Sequence, residues 1–341
     1  MIRIGIVGFG KATVRIHLPL LKMLPQYRIT AVMSSKPEGE IRNVLGGIEV
    51  FDDIDLFASH KCYDLAIVVT PTHTHFPLAK RLLNAGKHVV VEKPFVCNTS
   101  EAEELMEIAR RRKVLLSVFH NRRWDSDFLT LKRLIAENRI GDIKYFESRF
   151  DKYRPRVLGF WREQDLPGAG LLYDIGSHLI DQILILFGKP VSVFATLRKQ
   201  RPDALVTDAY MIIFKYANFD AVLRTSSLSA DSPFRFYVEG SKGSFLKKYT
   251  DCQDQLLVDL PPDTLYTGLK EPFDRYGTLA NENGSMKVES EVGDYREFYL
   301  DIYQSITTGR APAVTARQAA DVIQMIERAH RSHQENQVIE L

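Results

Sequence analysis

Cysteine is scarce in this chain: Cys62, Cys97 and Cys252 are the only three in 341 residues, an odd number, far apart and without the paired spacing of a zinc site. That excludes a disulfide framework and fits reduced thiols in the cytoplasm. An excess of one charge is missing too, with 45 Lys and Arg against 43 Asp and Glu and a formal net charge of +2. Such balance gives no general attraction to nucleic acid or to an anionic membrane surface, and neither is expected as a partner. No run approaches the ~20 uncharged apolar residues that span a bilayer. The chain opens directly on a strand pattern, so no signal peptide is expected. Internal repeats and low-complexity tracts are likewise missing. The one basic run, Arg110-Arg111-Arg112-Lys113, falls where a helical pattern ends. Cations there complement the negative end of the helix dipole, and the run reads as a helix terminus rather than a binding patch.

What is present is an ordinary globular composition, 45% hydrophobic and 26% charged. The length exceeds one ordinary core, so two domains are expected, over 1–120 and 121–341. In the first, strand patterns at 2–7, 28–34, 64–69, 88–91 and 114–118 alternate with helical patterns near 13–23, 38–45, 75–85 and 100–112. Continuous apolar strands such as Leu65-Ala66-Ile67-Val68-Val69 point to a sheet covered on both faces: a doubly wound parallel α/β sheet of Rossmann type. After residue 120 the texture changes. A helix is expected over 126–137, then strands from 143 to 150 and at 190–199, 208–216, 220–228 and 234–239, with helices at 294–308 and 315–332. The period of two at 143–150 predicts an antiparallel strand. "YVEGSKGSFLKK" reads as a hairpin with Gly240, Lys242 and Gly243 at its turn. The second domain is therefore expected to be α+β on a largely antiparallel open sheet.

Residues 4–13 read IGIVGFGKAT. An apolar strand runs into Gly-x-Gly at the start of a helix, the context in which this motif binds a dinucleotide. Gly8 permits the tight turn and Gly10 lets the backbone approach a pyrophosphate at the helix N-terminus. Phe9, Lys11 and Ala12 complete the candidate loop. Thr13 stands where a third glycine or alanine is usual; it is small, and its hydroxyl can cap the helix. At the end of the second strand an Asp or Glu would favour NAD, by accepting from a ribose 2′-hydroxyl. Here stand Ser34, Ser35 and Lys36, two hydroxyl donors and a cation suited to a 2′-phosphate, so NADP is expected over NAD.

Two further stretches carry chemistry. In "GKHVVVEKPF" (86–95) Lys93 follows a strand and can place an ammonium against a developing alkoxide. In "GAGLLYDIGSHLIDQ" (168–182) Asp174 and His178 are four apart and share a face if the stretch is helical. An imidazole beside a carboxylate has the acid–base range needed near neutrality. Trp161 and Arg162 suit a sugar pocket, indole against ring C–H faces and guanidinium toward hydroxyls. His73, His75, His88 and His120 lie on different loops without ligand spacing, and no metal is expected.

The glycine loop, "TPTHTH" (70–75), "AGKHVVVEKP" and Asp-x-Gly-x-His at 174–178, in this order over almost the whole chain, resemble the Gfo/Idh/MocA oxidoreductase family. The resemblance implies a Rossmann domain with an antiparallel-sheet domain, and hydride transfer on polyols or sugars. It gives Lys93, Asp174 and His178 the catalytic roles and adds Thr70, Pro71, His75, Glu92 and Lys93 to the cofactor site. It also implies a cis peptide before Pro94. "LLSVFHNRRWDSDFLTLKRLI" (115–135), "YRP" (153–155) and "FWRE" (160–163) are similar to the NADP-dependent scyllo-inositol dehydrogenases of that family. Asn121 thereby joins the cofactor set. Tyr153, with Trp161, Arg162, Lys93, Asp174 and His178, joins the substrate set. The expected activity is interconversion of scyllo-inositol and its inosose. An aldose or glycoside dehydrogenase and a non-catalytic NADP-binding sensor are the alternatives. A homodimer or homotetramer through the open sheet is the expected assembly.

Overall fold

The computed structural model describes residues 1–259 and 266–341. Its first elements are β1 (Ile2–Val7), α1 (Leu18–Lys22), β2 (Tyr27–Met33), α2 (Glu38–Leu45), β3 (Glu49–Phe51) and α3 (Ile54–Ser59). Then come β4 (Leu65–Val68), α4 (His75–Asn84), β5 (His88–Val91), α5 (Thr99–Arg112) and β6 (Leu116–Val118). The chain continues through α6 (Ser126–Ala136), β7 (Ile143–Arg149), α7 (Ser177–Phe187), β8 (Ser192–Arg198), β9 (Ala209–Lys215) and β10 (Asp220–Ser226). Last are β11 (Phe236–Gly240), β12 (Gly243–Lys247), α8 (Gln253–Asp259), β13 (Gly277–Asn281), β14 (Gly284–Val288), α9 (Arg296–Thr308), α10 (Ala316–Glu335) and β15 (Ile339–Glu340).

Among the described residues, the first sheet runs β3-β2-β1-β4-β5-β6 with every pairing parallel. Leu65 to Val68 and Val89 to Val91 are wholly buried, as strands covered on both faces must be. Strand order reverses between β1 and β4, so the loops after these two strands diverge at the switch point where such sheets bind ligands. Helix α5 starts on Asn98, whose side chain accepts from the Glu101 N–H at 2.9 Å. It ends on Arg110 to Arg112, with Lys113 in the left-handed cap, and the basic run is a helix terminus.

The second sheet runs β14-β13-β12-β11-β7-β10-β9-β8-β15. The expected antiparallel character holds with one correction: β7 pairs antiparallel with β11 but parallel with β10. Alternation fixes which face of a strand is buried, not the direction of its neighbour. Along β7 Phe146 and Ser148, continued by Phe150, are the most deeply buried, with Glu147 between them at 8% exposure on the other face. The β11–β12 hairpin turns through Ser241 and Lys242, with Gly240 opposite Gly243. The sequence reading also missed β3, α3, α8, β13, β14 and β15, all short. β14 is four-fifths exposed residues and α3 is fixed by a polar cap, Asp53 accepting from Asp55 and Leu56 N–H.

By internal contacts the chain forms two units: residues 1–121 with 254–259, Tyr266 and 295–323, and residues 122–253 with 267–294 and 324–341. The chain first crosses between the units at 121/122 and returns to the first unit in its later segments, so neither unit is one continuous stretch. Helix α9 is held there by its own chemistry: the Tyr27 hydroxyl donates to the Tyr299 carbonyl at 2.7 Å. No helix among the described residues is long and apolar enough to cross a membrane.

Candidate active site

Parallel strands all end on one edge, and the candidate cofactor residues of the first unit collect there. Gly8 to Ala12 follow β1, Ser34 to Lys36 follow β2, Thr70 and Pro71 follow β4, Glu92 and Lys93 follow β5, and Asn121 comes after β6. Gly8 has φ +100°, and a Cβ on it would stand 2.5 Å from the Val69 carbonyl oxygen. Only glycine fits both the torsion and the close approach. A Cβ on Gly10 would meet nothing within 4 Å, so the loop is open where a pyrophosphate would lie. The residues present fit a dinucleotide. Thr13 does not cap the helix as expected: it is buried at the start of a π-helical turn, Thr13–His17, and its hydroxyl donates to the Gly8 carbonyl at 2.8 Å. It thereby holds the glycine turn against the helix that follows.

At the end of β2, the Ser34 hydroxyl oxygen accepts from the Lys36 N–H at 3.2 Å, and the Lys36 ammonium pairs with Glu40 one turn along α2. Both charges are exposed, so the pair is weak and open to competition from a phosphate. The Thr74 hydroxyl lies 2.7 Å from both the Pro71 carbonyl and the Thr70 hydroxyl, bracing that turn. His75 is buried with Nδ1 3.0 Å from the Pro94 carbonyl and Nε2 2.8 Å from that of Thr70. Burial pushes its pKa down against those carbonyls. Its ring therefore ties the Thr70 turn to the Lys93 segment from behind. The peptide bond before Pro94 is cis, as the resemblance implied. Glu92 accepts the Lys93 backbone N–H on Oε2 at 2.8 Å. Lys93 itself is half-buried.

In the second unit Asp174 sits within a π-helical turn, Leu172–Gly176, that opens directly into α7. The Asp174 N–H donates to the carbonyl of Gly170, which has φ +89°. His178 lies in the first turn of α7 and is 4% exposed. Arg162 brings its Nε to 3.3 Å from Asp174 Oδ1 and rests its guanidinium 4.7 Å from the Trp161 ring centre. So the indole carries an arginine, and the arginine carries the candidate catalytic carboxylate. A cavity of about 240 Å³ opens beside them, walled by Phe150, Phe160, Arg154, Arg162, Asp174 and Arg201. Tyr153 is exposed and bridges Leu228 through the backbone. Sequence reasoning missed Arg201, which is buried and donates to Asp208 at 2.9 Å and to Glu163 at 2.8 Å. It also missed His17 and Tyr299. None of the three sits in a glycine, lysine or histidine motif, and nothing in local spacing marks them. The described residues hold no group of three His, Cys, Asp or Glu side chains suited to a metal.

Residues 2–120 match the family model for the oxidoreductase family NAD-binding Rossmann fold, and residues 132–341 match that for the oxidoreductase family C-terminal alpha/beta domain. The chain is 39% identical to the uncharacterized oxidoreductase YdgJ of Escherichia coli, covering 96% of this chain and 94% of that protein. It is 37% identical to the scyllo-inositol 2-dehydrogenase (NADP(+)) IolW of Bacillus subtilis, covering 100% and 96%. The solved structure of the yvaA protein of Bacillus subtilis superposes with a TM-score of 0.95 at 35% identity, covering 100% of this chain and 98% of that one. With the glycine loop, the cis Lys93–Pro94 bond and the Asp174–His178 turn in place, the chain belongs to the Gfo/Idh/MocA oxidoreductase family.

Proposed function

We propose that this oxidoreductase transfers hydride between NADP(H) and a secondary carbinol of a cyclic polyol, with scyllo-inositol as its substrate. The observation that carries the reading is that each unit by itself presents a prepared group: in the first, a lysine whose backbone is fixed at a strand end, and in the second, an imidazole one turn from a carboxylate at a helix start. Whole-length similarity to an NADP-dependent scyllo-inositol dehydrogenase supports the substrate. Ser34, Ser35 and Lys36 support the phosphorylated cofactor, because they offer two hydroxyl donors and a cation to a 2′-phosphate.

Gly8 to Ala12, Thr70, Pro71 and the ends of β2 and β5 would hold NADP, whose nicotinamide supplies the hydride acceptor. His178 takes the hydroxyl proton of the carbinol on its imidazole, and Asp174 orients that ring and stabilises its cation. Arg162, with its Nε 3.3 Å from Asp174 Oδ1, helps to hold that carboxylate in place. The Lys93 ammonium stabilises alkoxide character on the same oxygen. Ketone reduction uses the same groups in reverse. The second-unit cavity, with its aromatic and guanidinium walls, offers donors to ring hydroxyls and a face for ring C–H groups. Replacing His178 with Asn or Lys93 with Met is expected to lower kcat by about 10²–10⁴-fold with folding intact. Near-normal turnover in either variant overturns the assignment.

The assembly we propose is a homodimer or homotetramer through the second sheet, one face of which leaves Tyr145, Phe194, Met211, Ile213, Val222 and Tyr237 half-buried or exposed. Light scattering that returns the mass of one chain overturns it. Cys62, Cys97 and Cys252 form no disulfide with one another, which accords with work in a reducing cytoplasm.

A further inference from the structure

We infer that His17 is a positioning residue for Lys93: acting through Glu92, it ties the helix behind the glycine loop to the lysine-bearing end of β5. The inference rests on the role proposed above for Lys93. His17 closes the π-helical turn Thr13–His17, and its side chain has no exposure. Nδ1 lies 2.5 Å from the Tyr299 hydroxyl and Nε2 lies 2.9 Å from Glu92 Oε1. Burial, with the Glu92 charge nearby, raises the Tyr299 phenol well above its ordinary value, so it stays a hydroxyl and donates to Nδ1. The other ring nitrogen then carries the hydrogen and gives it to the carboxylate, a charge-assisted bond.

Glu92 passes the restraint on. Its Oε2 accepts the Lys93 backbone N–H at 2.8 Å, while its own N–H donates to the Val68 carbonyl at 2.9 Å and keeps the residue in the sheet. One carboxylate thus bridges an imidazole from the cofactor-loop helix and the main chain of the lysine. The Phe119 ring lies 4.5 Å from that of His17 and 5.6 Å from that of Tyr299, walling the array from water and strengthening its bonds. The partners come from residues 17, 92 and 299, three elements of the first unit that are remote in sequence. Truncating His17 leaves a largely buried carboxylate without its imidazole donor. Glu92 then turns toward water and takes Oε2 off the Lys93 amide.

The test compares His17→Ala with His17→Gln, whose amide nitrogen reaches Glu92 from nearly the Nε2 position. Hydrogen exchange by mass spectrometry on the NADP-bound protein reads the Lys93 and Glu92 amides, and steady-state kinetics run in parallel. In His17→Ala the Lys93 amide is expected to exchange about tenfold faster while that of Glu92 stays protected, the signature of one lost hydrogen bond. The same variant is expected to lose about 10²-fold in kcat from a small displacement of the lysine, with polyol KM unchanged. His17→Gln recovers most of both. Wild-type exchange and kcat in His17→Ala overturn the inference. So does equal loss of protection throughout β5 in both variants, which marks a plain folding defect. If the wild-type protein turns over no polyol, the functional reading fails, and the exchange arm still decides the brace.

Discussion

The two units place their polar chemistry in opposite locations. In the first, β4 and the buried part of β5 are apolar, the candidate cofactor residues stand at or beyond the strand ends, and the buried His17–Glu92–Tyr299 array lies behind them. In the second, charge lies inside. Arg235 is 0% exposed and donates to Ser148 at 2.5 Å and Gln182 at 2.6 Å, with its Nε 3.4 Å from Asp127. Arg123 grips Asp181 in a two-pronged bond at 2.8 and 2.6 Å. Lys247 pairs with Glu271 with neither side chain exposed. Asp251 accepts from the Ser126 N–H at 2.7 Å, joining the start of α6 to the chain after β12. A parallel sheet buried on both faces needs only apolar side chains, whereas the second unit fixes loops and helix ends to its sheet by directional bonds. Buried ion pairs are weak net stabilisers, yet removing one partner is costly.

That contrast can be broken most forcefully at Arg235. Arg235→Ala leaves Asp127 buried without its guanidinium and is expected to cost about 3–5 kcal/mol. Ile67→Val, in the middle of the apolar sheet, is expected to cost about 0.5–1.5 kcal/mol. Urea unfolding read by hydrogen exchange in each unit separates the two, and equal losses erase the distinction.

Acidity should sharpen it. Burial and the charge of Asp127 push the Asp251 carboxyl up to about 6 from 3.8. A raised acid stabilises the fold fully below 3.8, and that contribution, on the order of 3 kcal/mol, is lost as pH rises through about 6. His75 has the opposite sign. Burial depresses it below 6.5, so its contribution is present above 6.5 and lost as pH falls through the depressed value. Between pH 5 and 7 the second unit therefore loses stability from Asp251 and the first gains any from His75. Thermal unfolding across that range, with Asp251→Asn removing the second-unit slope, checks the signs. A common slope in both units contradicts them.

The smallest effects separate the two glycines of the loop. Gly8→Ala forces a Cβ into the Val69 carbonyl at a left-handed torsion, costing about 1–2 kcal/mol from the torsion alone. Gly10→Ala projects a methyl into open space, so stability stays near wild type while NADP affinity falls. Calorimetry of both variants with and without NADP reads the difference. An unchanged NADP affinity in Gly10→Ala contradicts the placement of the pyrophosphate.

How much was legible follows from the same contrast. Strands such as Leu65 to Val68 announce themselves because both faces are apolar, and Gly8 and Gly10 because the turn and the approach demand glycine. Lys93, Asp174 and His178 are recognisable from their motifs. The parallel pairing of β7 with β10 left no trace in period-two alternation. Arg235 and Lys247 sit on inward-facing positions that a hydrophobic pattern assigns to apolar residues, because their partners, Asp127 and Glu271, are distant in sequence. His17 and Tyr299 were illegible for the same reason, lying 282 residues apart. The motif marks Thr13 as a candidate helix cap, but its hydroxyl donates to the Gly8 carbonyl instead, a contact that only the folded turn reveals.

The central claim is chemical, and one assay reaches it most directly: initial rates of the wild-type protein with scyllo-inositol, other inositols, aldoses and glycosides, each with NADP and with NAD, followed by reduced-cofactor absorbance. The account predicts the highest kcat/KM for scyllo-inositol with NADP. Binding of NADP without turnover of any polyol or sugar, or a preference for NAD with an aldose, contradicts it.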